Sequence, residues 1–492
     1  MRPEAVELIG WLSVLQMNAA HTKRELPMNT LDVTSPYTGD VIATLEQQDG
    51  QALETMLARA YALYTDRQTW LPQLARQKIL HSTAHTLRED FEAFAQLIAS
   101  EGAKPLKDAR VEALRAADGI EMCVDHLKHD VGQTIPLGRS ELTQGHIART
   151  ISEPIGVVAA VSAFNHPLNL IVHQVAPAIA AGCPVIVKPA PDTPLSCIKF
   201  VELLHKAGLP PEWCQVLITD DLAVSESLVT DPRLGFFSFI GSARVGWMLR
   251  SKLAPGVRCA LEHGGAAPLI IAPTGDVDAS VPAILKGGYY HSGQVCVSVQ
   301  RVFVPDHLKA ELVEKLTAGI AKLHVGDPLD ENTDVGPLIR PGEVDRVQQW
   351  VDQAKQDGAT LAVGGGRISA RVFEPTLIVD APADSVVSQQ EIFGPVVCVY
   401  GYTDLQAAIN QANDVPFSFQ AAVFSKEIDE ALEIANGLNG SAIMINEHTA
   451  FRDDVMPFAG LKQSGLGVGG IPYTIEDMQI QKMLVVKSGQ LK

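Results

Sequence analysis

Gly156-Val157-Val158-Ala159-Ala160-Val161 is a run of strand length without one polar side chain. A strand with one wet face alternates apolar and polar residues, so a uniformly apolar run of this length predicts a strand covered on both faces. Pro167 to Ala181 then reads as a helix and stops at Gly182. Pro184-Val185-Ile186-Val187 repeats the strand pattern, and Ser196 to Ala207 repeats the helix, ending at Gly208. Val216-Leu217-Ile218, Phe236-Phe237-Ser238-Phe239 and Cys259-Ala260-Leu261 continue the series. Short apolar strands separated by helices predict a parallel sheet with helices on both faces. Ligands of such sheets bind beyond the carboxyl ends of the strands.

Working outward, Asp32 to Leu45 reads as two short strands around a Pro/Gly turn. From Gln51 to about Asp125 the apolar residues recur at three and four spacing, as in Leu53, Met56, Leu57, Ala60 and Leu63, then Phe91, Phe94, Leu97 and Ile98, which predicts a helical block. Asp130 to Glu153 changes to glycines, Pro136 and polar alternation, and its residues alone fit either an extended arm or a surface loop. After Pro268-Leu269-Ile270-Ile271 a second α/β unit is predicted. Its helices fall near 279–290, 307–323, 342–356, 404–413 and 427–437, and its strands near 301–304, 395–400, 420–424 and 441–445. Gly364-Gly365-Gly366 reads as a structural turn, and Val485-Val486 in the tail as a strand that pairs with another element or another subunit. Residues 1–27 read as an N-terminal extension, with Met28 as an alternative start.

The chain of 492 residues carries 39 basic and 57 acidic side chains, a net charge of −18, which argues against general affinity for nucleic acid or anionic membrane. Its seven cysteines are sparse, odd in number and form no C-x-x-C pair, a pattern that suits the reducing cytoplasm and argues against disulfides or a zinc site. His263 and His291 match no common metal spacing, so no metal is expected. No run approaches the eighteen or so apolar residues of a membrane span. The apolar part of Val6 to Met17 follows Glu4 and contains Glu7, where a signal peptide would be basic.

The predicted strand ends carry the reactive residue types. Phe164-Asn165-His166-Pro167 follows the first strand and Lys188-Pro189-Ala190 the second. Gly241-Ser242-Ala243-Arg244-Val245-Gly246 follows the fourth and resembles a phosphate-binding turn, in which free N–H groups at a helix start attract an anion, although the G-x-G-x-x-G spacing is absent. Two further stretches place chemistry beside glycines: Leu261-Glu262-His263-Gly264-Gly265 and Ser292-Gly293-Gln294-Val295-Cys296. A thiol attacks as thiolate, small neighbours leave its approach open, and a buried carboxylate of raised pKa can serve as a base. On spacing alone, a buried structural cysteine and a plain turn explain these stretches equally well.

Together the motifs resemble the aldehyde dehydrogenase superfamily from about residue 30 to 488. The match rests on Phe164–Leu168, Lys188–Ala190, Phe239-Ile240-Gly241-Ser242, Glu262–Gly265, Gly293–Cys296, Glu391-Ile392-Phe393-Gly394-Pro395 and Pro457–Gly465, in the family's order and spacing. The resemblance implies that Cys296 attacks the aldehyde carbon, that Asn165 and the Cys296 backbone N–H hold the oxyanion, and that Glu262 activates water. It places Lys188 and Glu391 on ribose hydroxyls, Gly241, Ser242 and Gly246 by the pyrophosphate, and Ala163, Phe164 and Phe393 around the cofactor. The substrate pocket implied by matched position is His166, His173, Val295, Val297, Phe451, Arg452 and Phe458, whose polarity points to a small, polar or anionic aldehyde.

Two departures stand out. The usual Glu-Leu-Gly-Gly is Glu-His-Gly-Gly here, which alters the surroundings of the base without removing it. Where NAD-preferring members carry a Glu three residues after the lysine, this chain has Pro191, so NADP is admitted beside the expected NAD. Acylating members that use coenzyme A generally lack the glutamate matched by Glu262. A Cys/His hydrolase using His291 or His263 and a non-catalytic scaffold are the remaining alternatives. The implied architecture is α/β: a Rossmann-like parallel-sheet cofactor domain (28–130 and 154–263), a second α/β catalytic domain (264–450), and a small β oligomerisation arm (131–153 with 471–492), with 451–470 returning to the cofactor side. The arm implies a homodimer or homotetramer.

Overall fold

Residues 29–491 are described by a computed structural model; the expected N-terminal extension and Met28 lie outside the described residues. The alternating stretch forms a six-stranded sheet in the order Gly465–Leu466, Arg258–Glu262, Leu234–Ile240, Val157–Val161, Val185–Lys188, Cys214–Val216. Its strands run parallel except Gly465–Leu466, which pairs antiparallel with Arg258–Glu262. The uniform apolarity of Val157–Val161 has a direct cause. Val158 and Ala160 pack into one core with Leu80, Phe94, Ile120 and Val172. Val157 and Ala159 pack into the other with Leu53, Leu57, Leu228 and Phe237. Successive side chains point to opposite faces, so both sets must be apolar.

Val157–Val161 pairs with Val185–Lys188 on one side and Leu234–Ile240 on the other. The chain therefore leaves this strand in one direction and later returns on its other side. Such a switch point opens a crevice at the carboxyl ends, where an α/β sheet takes its ligand.

The predicted helical block is present as Gly50–Thr65, Gln73–Glu89, Phe91–Gly102 and Leu106–His129. Two buried carboxylates from it cap helices of the sheet. Glu112 accepts from the backbone N–H groups of Leu168 and Asn169 at 3.0 and 3.1 Å, with Lys104 as its ion-pair partner. Glu101 accepts from Leu195 at 2.7 Å and Ser196 at 2.8 Å. A negative group there satisfies free N–H donors and the helix dipole together.

The second sheet has seven strands, in the order Thr360–Val363, Thr376–Val379, Val396–Tyr402, Val299–Pro305, Ala267–Ile271, Gln420–Phe424, Ala442–Ile445. The first two form the edge that the sequence reading missed; Gly364 and Gly365, both at positive φ, turn the chain between them. A third sheet joins Gln479–Lys487, His146–Pro154 and Thr134–Ile135. Ile471–Asp477, expected in this arm, is instead a helix: Ile471, Ile475 and Met478 are apolar and fully buried in the core of the first sheet. The third strand of the first sheet's series begins at Cys214 rather than Val216, because its ladder to Val185 starts there. Among the described residues, no helix is long and apolar enough to cross a membrane.

Candidate active site

A cavity of about 770 Å³ opens at the switch point and runs between the two large sheets. Asn165, Glu262 and Cys296 all line it, together with Gly241 and Ser242.

Cys296 is delivered by an unusual loop. The helix Val277–Tyr289 ends in a turn where His291, Ser292 and Gly293 take φ of 48°, 57° and 70° in succession. Left-handed backbone costs a non-glycine residue roughly 1–3 kcal/mol, so the surroundings must enforce it. They do so through Ser292 Oγ, which donates to Gly336 O at 2.8 Å, and through Gln294 Oε1, which accepts from Ile339 N at 3.0 Å. A Cβ on Gly293 would stand 2.0 Å from Gly394 O, so only glycine fits. Asn165 Nδ2 donates to Gln294 O at 2.9 Å, which fixes the amide beside the loop two residues before the thiol. An amide has two N–H donors, and one serves this bond.

Burial pushes the Cys296 thiol well above its usual range, and the charges of Glu391 and Glu262 push it further. Burial also raises Glu262, with His173 and Arg452 pulling the other way. The Glu262 carboxylate fits because residue 469 is glycine: a Cβ there would meet Oε1 at 2.2 Å. A thiol reluctant to ionise beside a carboxylate of raised pKa is an arrangement for moving protons.

At the sheet end, Gly241, Ser242, Arg244 and Val245 surround the start of the helix Ala243–Arg250, and Arg340, Arg346 and Trp350 face it. Glu391 is raised to about 8 by burial and accepts from Gly265 N at 3.2 Å. A Cβ on Gly264 would fall 1.5 Å from its Oε1, so this glycine makes way for the carboxylate. Phe393 meets Phe164 edge to face at 5.9 Å, and Ala163 lines the wall beside them. Lys188 and Gly246 are not among the residues that line the cavity. Lys188 ends its strand buried, and burial pulls its ammonium below the usual lysine range. Gly246 leaves room for the ring of His263, whose Cε1 would stand 2.0 Å from an added Cβ.

At the other end His166, His173, Val295, Val297, Arg452 and Phe458 line the cavity as expected, but Phe451 does not. Phe451 is 46% exposed, and Ala450 takes the wall position instead. Three polar residues absent from the sequence reading join this end: Arg115, Tyr290 and Asp454. Asp454 is 3% exposed. It accepts from Arg115 Nη2 at 2.6 Å and lies 3.2 Å from His173 Nε2 and 3.7 Å from Arg452 Nε. Burial works against its charge, yet His173 and Arg115 hold its carboxyl well below the usual range. The Arg452 guanidinium stacks over Phe458 at 4.5 Å.

A parallel sheet whose switch-point cavity joins a phosphate-type turn to a buried thiol and carboxylate marks a nucleotide-dependent enzyme. The aldehyde dehydrogenase family model matches residues 22–484, and the chain belongs to that family. It is 36% identical over 412 residues to 3-sulfolactaldehyde dehydrogenase of Priestia aryabhattai, covering 84% of this chain and 86% of the relative. Aldehyde dehydrogenase 21 of Physcomitrella patens, solved with the reaction product succinate, superposes with TM-score 0.91 at 33% identity, covering 96% of this chain and 98% of that one. Glyceraldehyde-3-phosphate dehydrogenase GapN of Methanocaldococcus jannaschii, solved with NADP, gives TM-score 0.89 at 31% identity, covering 95% and 100%. The chain is an NAD(P)-dependent aldehyde dehydrogenase. The sheet end of the cavity fits a nucleotide. Ser162 Oγ and His263 Nε2 are buried polar atoms without a partner among the described residues, and both residues line that end.

Proposed function

We propose that this enzyme oxidises a small aldehyde bearing one anionic group to the carboxylic acid, through a covalent bond to Cys296. The observation carrying this reading is the shared cavity of Asn165, Glu262 and Cys296 with the Gly241-Ser242 turn. The Cys296 sulfur adds to the carbonyl carbon as its proton leaves to a base, and the oxyanion takes hydrogen bonds from the Asn165 amide and the Cys296 N–H. A nicotinamide held at the sheet end would supply the hydride acceptor, and the acyl group stays on Cys296 as a thioester. Glu262 then takes a proton from water as that water attacks the thioester carbon; the C–S bond breaks and the acid departs. Lys188, Gly241, Ser242, Gly246, Glu391, Ala163, Phe164 and Phe393 serve the cofactor. NAD is the expected form, with NADP admitted by Pro191.

The anionic preference rests on the charge balance of the far end. Two guanidinium groups, Arg115 and Arg452, meet at one buried carboxylate, Asp454, so cationic donors reach this end of the cavity. The named substrate of the Priestia relative and the succinate of the Physcomitrella structure both carry such a group. Hydrolysis to the free acid, rather than transfer to coenzyme A, is supported by Glu262 at the cavity wall. The hydrolase alternative has little support, since His291 is fully enclosed and does not line the cavity, and His263 is wedged between Phe239 and Trp247 with its Nδ1 on Gly241 O.

We assign the first sheet with its helices to cofactor binding, the second to catalysis, and the third to assembly as a homodimer or homotetramer in the cytoplasm. Met483, Leu484, Val485 and Val486 are all exposed on the outer strand of that third sheet, which supports its role in pairing with another copy. A panel of neutral, hydroxylated and acid-bearing aldehydes with NAD and with NADP, followed by reduced-nicotinamide absorbance, tests the reading on wild type and Cys296→Ala. Clear preference for long apolar aldehydes would overturn the substrate class, and activity in the variant would overturn the chemistry.

A further inference from the structure

His263 follows Glu262 directly, and the structure gives its imidazole a bond that an apolar side chain cannot make. Its Nδ1 lies 2.8 Å from Gly241 O. A carbonyl only accepts, so Nδ1 carries the proton and Nε2 is bare. Burial pulls the ring below the ordinary histidine range, which keeps it in this neutral form. The ring is 2% exposed and is wedged between Phe239 at 5.7 Å and Trp247 at 6.0 Å, with Gly246 against its edge. Gly241 is thereby tied twice to the strand end that carries Glu262, because its N–H also donates to Glu262 O at 3.0 Å.

This double tie acts on the turn at the start of the helix Ala243–Arg250. The peptide between Gly241 and Ser242 is trans. In a trans peptide C=O and N–H point in opposite directions. Holding Gly241 O toward His263 therefore turns the Ser242 N–H away from the imidazole, to join the unpaired N–H groups of the helix's first turn. His263 and both turn residues line the cavity, and His263 Nε2 is a buried acceptor without a partner among the described residues.

We infer that His263 is a positioning residue for the cofactor's diphosphate: by fixing the Gly241 carbonyl it aims the Ser242 N–H, and with it the free N–H groups that open the helix Ala243–Arg250. The inference rests on the reading of this turn as the diphosphate site. It predicts a role in binding the charged part of the nucleotide and none in binding its nucleoside.

Calorimetric titration of the full-length enzyme with ADP and, separately, with adenosine tests this on wild type, His263→Leu and His263→Asn. Asparagine places an N–H close to the position of Nδ1, whereas leucine keeps only the packing. Loss of one such donor arrangement is expected to weaken ADP about tenfold in His263→Leu. Adenosine affinity stays unchanged, and His263→Asn recovers ADP binding to within about threefold of wild type. Unchanged adenosine binding also certifies that the variant has kept its fold. Three results would overturn the inference: wild-type ADP affinity in His263→Leu, an equal loss of ADP and adenosine, or His263→Asn as weak as His263→Leu. Wild type that failed to bind ADP would remove the diphosphate reading of the turn along with it.

Discussion

Two walls of the cavity are built in opposite ways. The wall that carries Cys296 is one continuous piece of chain, Tyr290 to Val297, with left-handed backbone at His291, Ser292 and Gly293 and bonds that pin it to Gly336 and Ile339. The charged wall is assembled from Arg115 on one helix, His173 on another, and Arg452 with Asp454 in a distant loop. Local backbone geometry sets the first, and pairing of charges sets the second. Under the proposed function, chemistry common to all aldehydes falls to the first wall and choice among aldehydes to the second.

Substitutions should separate these roles, and the largest effect is expected at the thiol. Cys296→Ala removes the covalent route and should lower kcat/KM at least about ten-thousandfold for every aldehyde in a panel, whatever its charge. Glu262→Gln should cost roughly 100- to 10,000-fold in turnover, again for all substrates alike. Its pH profile sharpens the point. The base works deprotonated, and burial raises its folded pKa, so wild-type turnover should climb with pH above the ordinary carboxylate range. The glutamine variant should lack that climb.

At the charged wall the expectation is discrimination. Arg452→Met should lower kcat/KM for acid-bearing aldehydes roughly thirty- to hundredfold while changing a neutral short aldehyde by less than about threefold, since only the anion loses a partner. Equal losses for both would merge the two walls into one.

The smallest effect concerns support beneath the cavity rather than the walls themselves. Glu101 is raised from 4.5 to about 7 by burial. Between those values the folded state holds the proton more often than the unfolded chain, so this group's contribution to stability is full below about pH 4.5 and declines as pH rises toward 7. Glu101→Gln should flatten that decline in denaturant unfolding measured across the interval.

Much of this was legible in the sequence where the information is local. The apolar run Val157–Val161 announced a strand between two cores, and Gly293 and Gly264, singled out beside the thiol and the carboxylate, lie where no side chain fits. The charged wall was only half legible. Arg115 looked like one more polar position on an amphipathic helix, because nothing in residues 106–129 reveals that Asp454 will be folded against it. Phe451 was expected on the wall from its matched position in the family pattern, but a loop has no fixed periodicity and Ala450 faces inward instead. The edge strands Thr360–Val363 and Thr376–Val379 escaped notice because they are only four residues each and flank a glycine turn.

The central claim is that Cys296 carries the acyl group which Glu262 releases. Mass spectrometry of Glu262→Gln, quenched after mixing with an accepted aldehyde and oxidised cofactor, tests it most directly. A mass gain equal to the acyl group, located on the peptide containing Cys296 and removed by hydroxylamine, is the predicted result. Turnover in this variant without any adduct, or an adduct confined to another residue, would contradict the account.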